Sequence, residues 1–367
     1  MDQRIGWIDF LKAAGILFVM AGHAPGFSEE LHIYTLSFGM PLFFFRSGYL
    51  LKRKYLSLSL AGYAARQMRL LLIPYCFFGA VSYALWLVLV RHFLSPGMPL
   101  YVPLEGMLYG VNNDRYLIHN SVLWFFPCLF AVRLAYYALA RFIRTSMLPV
   151  SILMAACFGI MLHDAVPFRI PWSADIALMC LPFYAAGALL QRVRGMKGAL
   201  NKKLCLLLLP VAAGCHLAGL QYNSMVFLYR GAIGMPAIFY LNAALGIATW
   251  VCAGSLIPAS RTITRLAKES IVLFPLHCLV YLFISGVFIV LLGLPAEFNN
   301  GSILFAAGYV GVTVPVLLRA ARVLHRYVPR ALGERPRRAR LRLEVRPEAA
   351  YPAELVHGKW AANITAS

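Results

Sequence analysis

Long apolar runs separated by short polar segments dominate the chain. A helix needs about 20 mostly apolar residues to cross the hydrocarbon core of a bilayer. Runs near that length fall at residues 6–24, 36–51, 70–92, 119–140, 147–163, 174–191, 203–220, 231–256, 270–293 and 302–324. Because a membrane span must satisfy its own backbone hydrogen bonds, the pattern predicts an all-α fold, a polytopic bundle of about ten transmembrane helices.

Basic residues alternate between the two sides of this predicted bundle. One set of loops carries the clusters Lys52, Arg53, Lys54, Arg66 and Arg69; Arg141 and Arg144; Arg192, Arg194, Lys197, Lys202 and Lys203; and Arg261, Arg265 and Lys268. The other set holds only scattered cations. Since cytoplasmic loops carry the excess of Lys and Arg, both termini are predicted to be cytoplasmic, which requires an even number of crossings.

The composition also points to a lipid environment. Hydrophobic residues make up 61% of the 367 residues and charged residues 13%, against roughly 25% charged in a soluble domain. The net charge of +20 comes from short clusters at the helix flanks, which favours a cytoplasmic membrane face over a nucleic-acid partner. Residues 1–326 are therefore predicted to be the transmembrane domain. Residues 327–367 are predicted to be a disordered basic cytoplasmic tail, attracted to anionic lipid headgroups.

The cysteines indicate neither a disulfide framework nor a metal site. They are Cys76, Cys128, Cys157, Cys180, Cys205, Cys215, Cys252 and Cys278. None belongs to a C-x-x-C pair, and nearly all lie inside apolar runs, so they are predicted to be small apolar fillers. No bound metal is expected.

The first apolar run contains three ionisable residues, Asp9, Lys12 and His23. Such groups are costly inside a membrane and by default mark a functional site. Lys12 and His23 are almost three helical turns apart, so they share one face about 16 Å apart, and Asp9 lies one turn from Lys12 and can pair with it. In the alternative interpretation, Asp9 and Lys12 extend to the headgroups and His23 caps the helix.

Six segments carry a resemblance to a known family. The chain reads WIDFLKAAGILFVMAGH at 7–23, SFGMPLFFFRSGYL at 37–50, RQMRLLLIPY at 66–75, NSVLWFFPCLF at 120–130, DIALMCLPFYAAGALL at 175–190 and LAKESIVLFPLH at 266–277. In this order and spacing they resemble the acyltransferase-3 family of membrane O-acyltransferases, most closely its fucose 4-O-acetylase-like branch. The resemblance covers residues 4–324. It implies transfer of an acyl group, expected to be acetyl, from acyl-CoA to a hydroxyl of a cell-surface or lipid-linked sugar at a bacterial inner membrane.

The resemblance also implies roles for individual residues. The family's first helix has a basic residue and a histidine separated by ten residues, which here are Lys12 and His23. Lys replaces the more frequent Arg and lacks its planar fork for phosphate. The R-x-x-R element corresponds to Arg66 and Arg69, which the resemblance assigns to CoA. Arg46 stands where an apolar residue is expected, and it either joins the phosphate site or extends towards the headgroups.

Ester formation from a thioester needs a general base and hydrogen-bond donors for the developing oxyanion. His23 is the predicted base, because imidazole titrates near neutral pH. It either deprotonates the acceptor hydroxyl or carries the acyl group itself. The oxyanion donors are expected among Asn120, Trp124 and the turn from Ser47 to Tyr49.

The donor is predicted to enter from the cytoplasm. Its nucleotide end would lie at Arg66 and Arg69, with the pantetheine arm following the first helix to His23. His277, placed near the cytoplasmic start of the ninth run, is predicted either to contact CoA or to make a polar contact between helices. Asp175, at the start of the sixth run, either binds acceptor hydroxyls or serves as a helix N-terminal acid.

Other functions fit parts of this pattern. The same fold can transfer another acyl group, such as succinyl. A transporter of glycans or small solutes also has many helices, but its binding groups lie near the midplane, often in paired halves. Here the charges cluster in the first helix and no repeat is visible. A purely structural role is disfavoured by three ionisable groups on one helix. No P-loop, dinucleotide-binding or zinc-ligand motif is present.

Overall fold

The protein is an all-α bundle, as predicted. The computed structural model describes residues 6–95, 97–113, 115–194, 200–224, 226–295, 298 and 302–334, and contains no strand among them. The helices are α1 (Gly6–His23), α2 (Glu29–Tyr49), α3 (Leu60–Gln67), α4 (Ile73–Leu85), α5 (Arg91–Leu94), α6 (Tyr101–Tyr109), α7 (Phe125–Phe142), α8 (Leu148–Ala165), α9 (Ala174–Met179), α10 (Leu181–Arg194), α11 (Lys202–Leu220), α12 (Pro236–Leu256), α13 (Arg261–Gly286) and α14 (Ile303–Tyr327).

Many of these helices are long and apolar enough to cross a membrane. Seven stretches qualify in the described part of the chain: Leu60–Val90, Ser121–Phe142, Leu148–Ala165, Lys202–Leu220, Pro236–Leu256, Arg261–Leu291 and Ile303–Tyr327. An eighth results if the pair Pro171–Met179 and Leu181–Val193, bent by 59°, counts as one span. α1 and α2 match the first two predicted runs but fall outside this set. The multi-pass character is therefore confirmed, while the count of ten and the cytoplasmic termini stay predictions.

α13 begins earlier than the hydropathy pattern predicted. Its N-cap is Ser260, whose hydroxyl accepts a hydrogen bond from the backbone N–H of Ile263, as N-cap serines commonly do. The first turns are polar, so the apolar run became visible only near residue 270. His277 consequently lies sixteen residues into the helix, about 24 Å from its start. The prediction that His277 lies near the start of its helix is therefore wrong.

α1 lies at the centre of the bundle, where it packs against α2, α12, α13 and α14. Ile16 and Met20 are fully buried on its packed face. The hydroxyl of Tyr281 in α13 donates a 2.9 Å hydrogen bond to the carbonyl of Met20. This contact fixes the register of α13 on α1, and so determines which α13 side chains meet the end of α1.

α2 and α10 approach closely through glycines. A Cβ at Gly48 would overlap with the carbonyl oxygen of Tyr184, and a Cβ at Gly187 would overlap with that of Phe45. Small residues permit such close packing of membrane helices. The contact holds the C-terminal half of α2 against the rest of the bundle.

Gly187→Val is therefore expected to destabilise the protein strongly, because backbone atoms of α2 cannot move aside locally. Folded protein recovered from membranes, measured by size-exclusion chromatography, should fall several-fold. Gly214→Val is the matched control, since no heavy atom lies within 4 Å of a Cβ there. Equal recovery of both variants would contradict the close α2–α10 contact.

The start of the predicted tail is folded. His325 contacts Glu269 (Nε2 to Oε2, 2.7 Å) and Glu334 (Nδ1 to Oε1, 3.3 Å), and Gly333 lies against the backbone of Arg69. The folded part thus extends beyond the predicted boundary at residue 326, as far as Glu334. Residues 335–367 of the predicted tail lie outside the described residues.

Candidate active site

A cavity of about 420 Å³ lies beside the C-terminal end of α1. Its wall combines residues of α1, α2 and α13 with the segments around residues 112–113, 121–124 and 227–230. The polar and aromatic lining groups relevant to the chemistry are His23, His32, Asn112, Asn113, Trp124 and Arg230. The structure therefore brings His23 and Trp124, two of the predicted site residues, to the same cavity.

His23 is held in one tautomer by its own helix. Its Nδ1 lies 2.7 Å from the carbonyl oxygen of Val19. A carbonyl can only accept a hydrogen bond, so Nδ1 carries the hydrogen and the neutral ring keeps its lone pair on Nε2. His23 can thus accept a proton at Nε2, as a general base must.

His277 lies beside His23. The two imidazole rings are 5.1 Å apart, edge to face. The Nδ1 of His277 lies 2.7 Å from the carbonyl oxygen of Phe274, which again leaves Nε2 as the free lone pair. The side chain is fully buried. Sequence reasoning missed this pair of histidines because it placed the start of α13 too late.

Asn120 is engaged in holding helices together. Its Nδ2 donates to Ser82 Oγ at 2.8 Å and to the carbonyl oxygen of Pro275 at 2.7 Å. An amide nitrogen carries two hydrogens, so none remains for a substrate oxygen. The predicted role of Asn120 as an oxyanion donor is not supported, and Asn120 instead links α4 to α13.

Asn120→Ala is expected to lower stability by about 1–3 kcal/mol, because the acceptors of Ser82 and Pro275 lose a buried partner. The melting temperature of the purified protein should fall, while the folded fraction keeps its turnover number. A normal melting temperature with lost turnover would instead favour the oxyanion role. Ser151→Ala is the control, since its exposed hydroxyl donates to the carbonyl oxygen of Met147, the N-cap of α8.

The turn from Ser47 to Tyr49 lies at the other end of α2. Ser47 Oγ accepts a 3.0 Å hydrogen bond from Nε of Arg133, and the fully buried ring of Tyr49 meets the edge of Trp7 at 4.7 Å. Neither residue lines the cavity at His23. The structure therefore does not bring this turn to the cavity at His23, and its oxyanion role stays a prediction.

Several cations gather at that end of α2. Arg46 donates through Nε to the carbonyl of Ile8 at 3.2 Å, and it lies close enough to Asp9 and Arg133 for their charges to interact. Arg133 also donates through Nη1 to Gln67 at 2.8 Å. Arg46 is thus directed at α1 within the bundle. Arg133 was not predicted, although a lone arginine inside an apolar run is a visible signal.

Arg66 and Arg69 lie beside this cluster. The guanidinium of Arg66 stacks 3.8 Å above the ring of Tyr55, and its Nε is buried with no hydrogen-bond partner among the described residues. Arg69 lies in a π-helical turn, Met68–Leu72, a feature that is frequent at functional sites. The predicted pairing of Asp9 with Lys12 stays a prediction, and Lys12 is half-buried on α1.

The two ends of the site are separated in this structure. Arg66 and Arg69 do not line the cavity at His23. The ring of Phe43 covers the face of α1 at Gly15, where its Cζ is 2.9 Å from the position of a Cβ. The cavity therefore reaches His23, and its lining among the described residues does not extend to Arg66 or Arg69.

Asp175 lies elsewhere. Its carboxylate Oδ2 is 2.7 Å from Nδ1 of His163, and the side chain is 1% exposed. It opens helix α9 but does not line the cavity. The prediction that Asp175 binds acceptor hydroxyls is therefore not supported by its position.

Fold and site together define a multi-pass membrane protein with a histidine at the wall of an internal cavity. Comparison with known families then identifies it further, since residues 5–320 match the acyltransferase-3 family, described as an acyltransferase domain. The chain belongs to this family and is a membrane acyltransferase. A search of curated proteins and a search of solved structures each gave no match.

Proposed function

We propose that this protein is a membrane O-acetyltransferase of the fucose 4-O-acetylase-like branch, in a bacterial inner membrane. It transfers acetyl from acetyl-CoA to a hydroxyl of a cell-surface or lipid-linked sugar. The main support for this proposal is that His23 has a lone pair on Nε2 and lines a cavity of about 420 Å³.

The cavity suits a sugar acceptor. Its volume lies within the range of about 300–1,000 Å³ typical of small-molecule sites. Two asparagines, Asn112 and Asn113, and His32 offer hydrogen bonds, and the aromatic residues Phe18 and Trp124 offer apolar faces. This mixture matches a ring that has hydroxyls at its rim and C–H groups on its faces.

The inner cation cluster suits the phosphates of CoA. Arg66, Arg69, Arg46 and Arg133 lie near the ends of α2 and α3, and guanidinium groups bind phosphate through paired N–H donors. His277, whose ring lies 5.1 Å from that of His23, is reassigned from CoA contact to the reaction centre. Lys12 lies between the two ends.

In the proposed reaction the acceptor oxygen attacks the thioester carbonyl carbon. The hydroxyl proton moves to Nε2 of His23, the carbon–sulfur bond breaks, and the CoA thiolate takes up a proton. Trp124 is the one predicted oxyanion donor that lines the cavity. The acyl arm reaches His23 by displacing Phe43 from Gly15.

Mass spectrometry of surface and lipid-linked glycans, with and without the intact gene, tests this function. We expect an acetyl ester to be lost from a sugar when the gene is disrupted, and regained on complementation. A lost succinyl ester would assign another donor to the same fold. Unchanged glycans together with altered export of a solute would contradict the acyltransferase and favour a transporter.

A further inference from the structure

Cys278 follows His277 in α13 and is paired with it. Its Sγ lies 3.4 Å from Nε2 of His277, the nitrogen left as an acceptor by the bond from Nδ1 to Phe274. The thiol therefore donates its hydrogen to the imidazole. An adjacent base of this kind is what a partly buried thiol needs in order to become a nucleophile.

The pair lies next to His23. The ligand atoms of His23, His277 and Cys278 all fall within 4.8 Å of one another. The cavity wall includes Phe274, one helical turn before Cys278 on the same face of α13, but neither His277 nor Cys278. Among the cysteines of the described chain, Cys278 is the one in this cluster.

We propose that Cys278 carries the acyl group as a thioester between donor and acceptor. This rests on the proposed acyltransferase function and adds an intermediate to it. The sulfur of Cys278 attacks the carbonyl carbon of the acyl-CoA thioester while its proton moves to Nε2 of His277. The donor carbon–sulfur bond then breaks, and the CoA thiolate takes the proton from His277.

The second half-reaction uses His23. The acceptor oxygen attacks the Cys278 thioester, the hydroxyl proton moves to Nε2 of His23, and the bond to Cys278 sulfur breaks. The proton then returns to the thiolate of Cys278. One carbon–sulfur bond replaces another in the first step, so no further reactant is needed. The sulfur of Cys278 and the ring nitrogen of His23 lie within 4.8 Å of each other. An acceptor oxygen can therefore approach both, since reacting atoms come to about 3–3.5 Å.

The same three donors can also bind a metal ion, since zinc accepts thiolate and imidazole ligands. The 3.4 Å separation of Sγ and Nε2 fits both arrangements. The two explanations differ in what they leave on the protein, because only the acyl carrier forms a covalent acetyl adduct.

The test uses the full chain in lipid nanodiscs with radiolabelled acetyl-CoA and no acceptor. We expect about one acetyl group per chain, located on the Cys278 peptide by mass spectrometry and removed by neutral hydroxylamine. Cys278→Ala should remove the label and lower sugar ester in cells at least tenfold. Cys252→Ala, a buried cysteine in α12, is the control and should keep both.

Cys278→Ser guards against a folding defect, because it preserves size and should give a slow, hydroxylamine-resistant acetyl adduct. Full ester formation by Cys278→Ala, absence of label in an active wild type, or stoichiometric zinc lost in Cys278→Ala would each overturn the proposal. If wild-type cells made no ester at all, the proposed function would fail instead, so the two failures are distinguishable.

Discussion

His23→Ala is expected to lower sugar ester formation by about 10²- to 10⁴-fold, the range contributed by a positioned general base. The lone pair on Nε2, kept available by the bond from Nδ1 to Val19, is lost with the ring. Ester content is measured by mass spectrometry in cells with equal amounts of membrane-inserted protein. His92→Ala is the control, because His92 is exposed in the first turn of α5 and does not line the cavity.

The same variant separates two roles of His23. If His23 acts only on the acceptor, His23→Ala should still release CoA once per chain when acetyl-CoA is supplied without acceptor. His277→Ala should abolish that first release, because the imidazole that is removed is the base proposed for the Cys278 thiol. Wild-type ester content in His23→Ala cells would remove the catalytic assignment.

The paired substitution Arg66→Gln and Arg69→Gln is expected to raise the acetyl-CoA concentration for half-maximal rate by about 10²- to 10⁴-fold, at tenfold per 1.4 kcal/mol. The basis is the loss of charge-assisted hydrogen bonds worth about 1.5–3 kcal/mol each. The maximal rate should change little, since these arginines lie outside the cavity that contains His23. Steady-state kinetics in nanodiscs measures both quantities.

Arg141→Gln with Arg144→Gln is a matched control, because these two exposed arginines have the same spacing at the end of α7. They should leave the acetyl-CoA dependence unchanged. An equal effect of both pairs would indicate general membrane-surface electrostatics. A selective fall in maximal rate at Arg66 and Arg69 would place them in the chemistry instead.

The fold was largely predictable from hydropathy, because lipid exposure demands continuous apolar stretches. Each of the ten predicted runs corresponds to a helix or a bent helix pair. Helix starts were less predictable. The first turns of α13 are polar and capped by Ser260, so they resemble loop sequence, and the error displaced His277 along the helix.

The sequence predicted site residues only where the unusual side chain and its helix are visible in one segment. His23 was found because an imidazole in a membrane helix is unusual. Its neighbour His277 depends on the register between α1 and α13, set by the bond from Tyr281 to Met20. Asn120 resembled a substrate donor in sequence, and only the positions of Ser82 and Pro275 show its amide to be occupied.

In the proposed reaction an acyl group enters beside Arg66 and meets an acceptor beside His23, at the C-terminal end of α1. Sealed proteoliposomes test it most directly, with radiolabelled acetyl-CoA confined to the face that carries Arg66 and the acceptor glycan confined to the other. We expect labelled glycan that depends on His23. Transfer only when donor and acceptor share one face would contradict it.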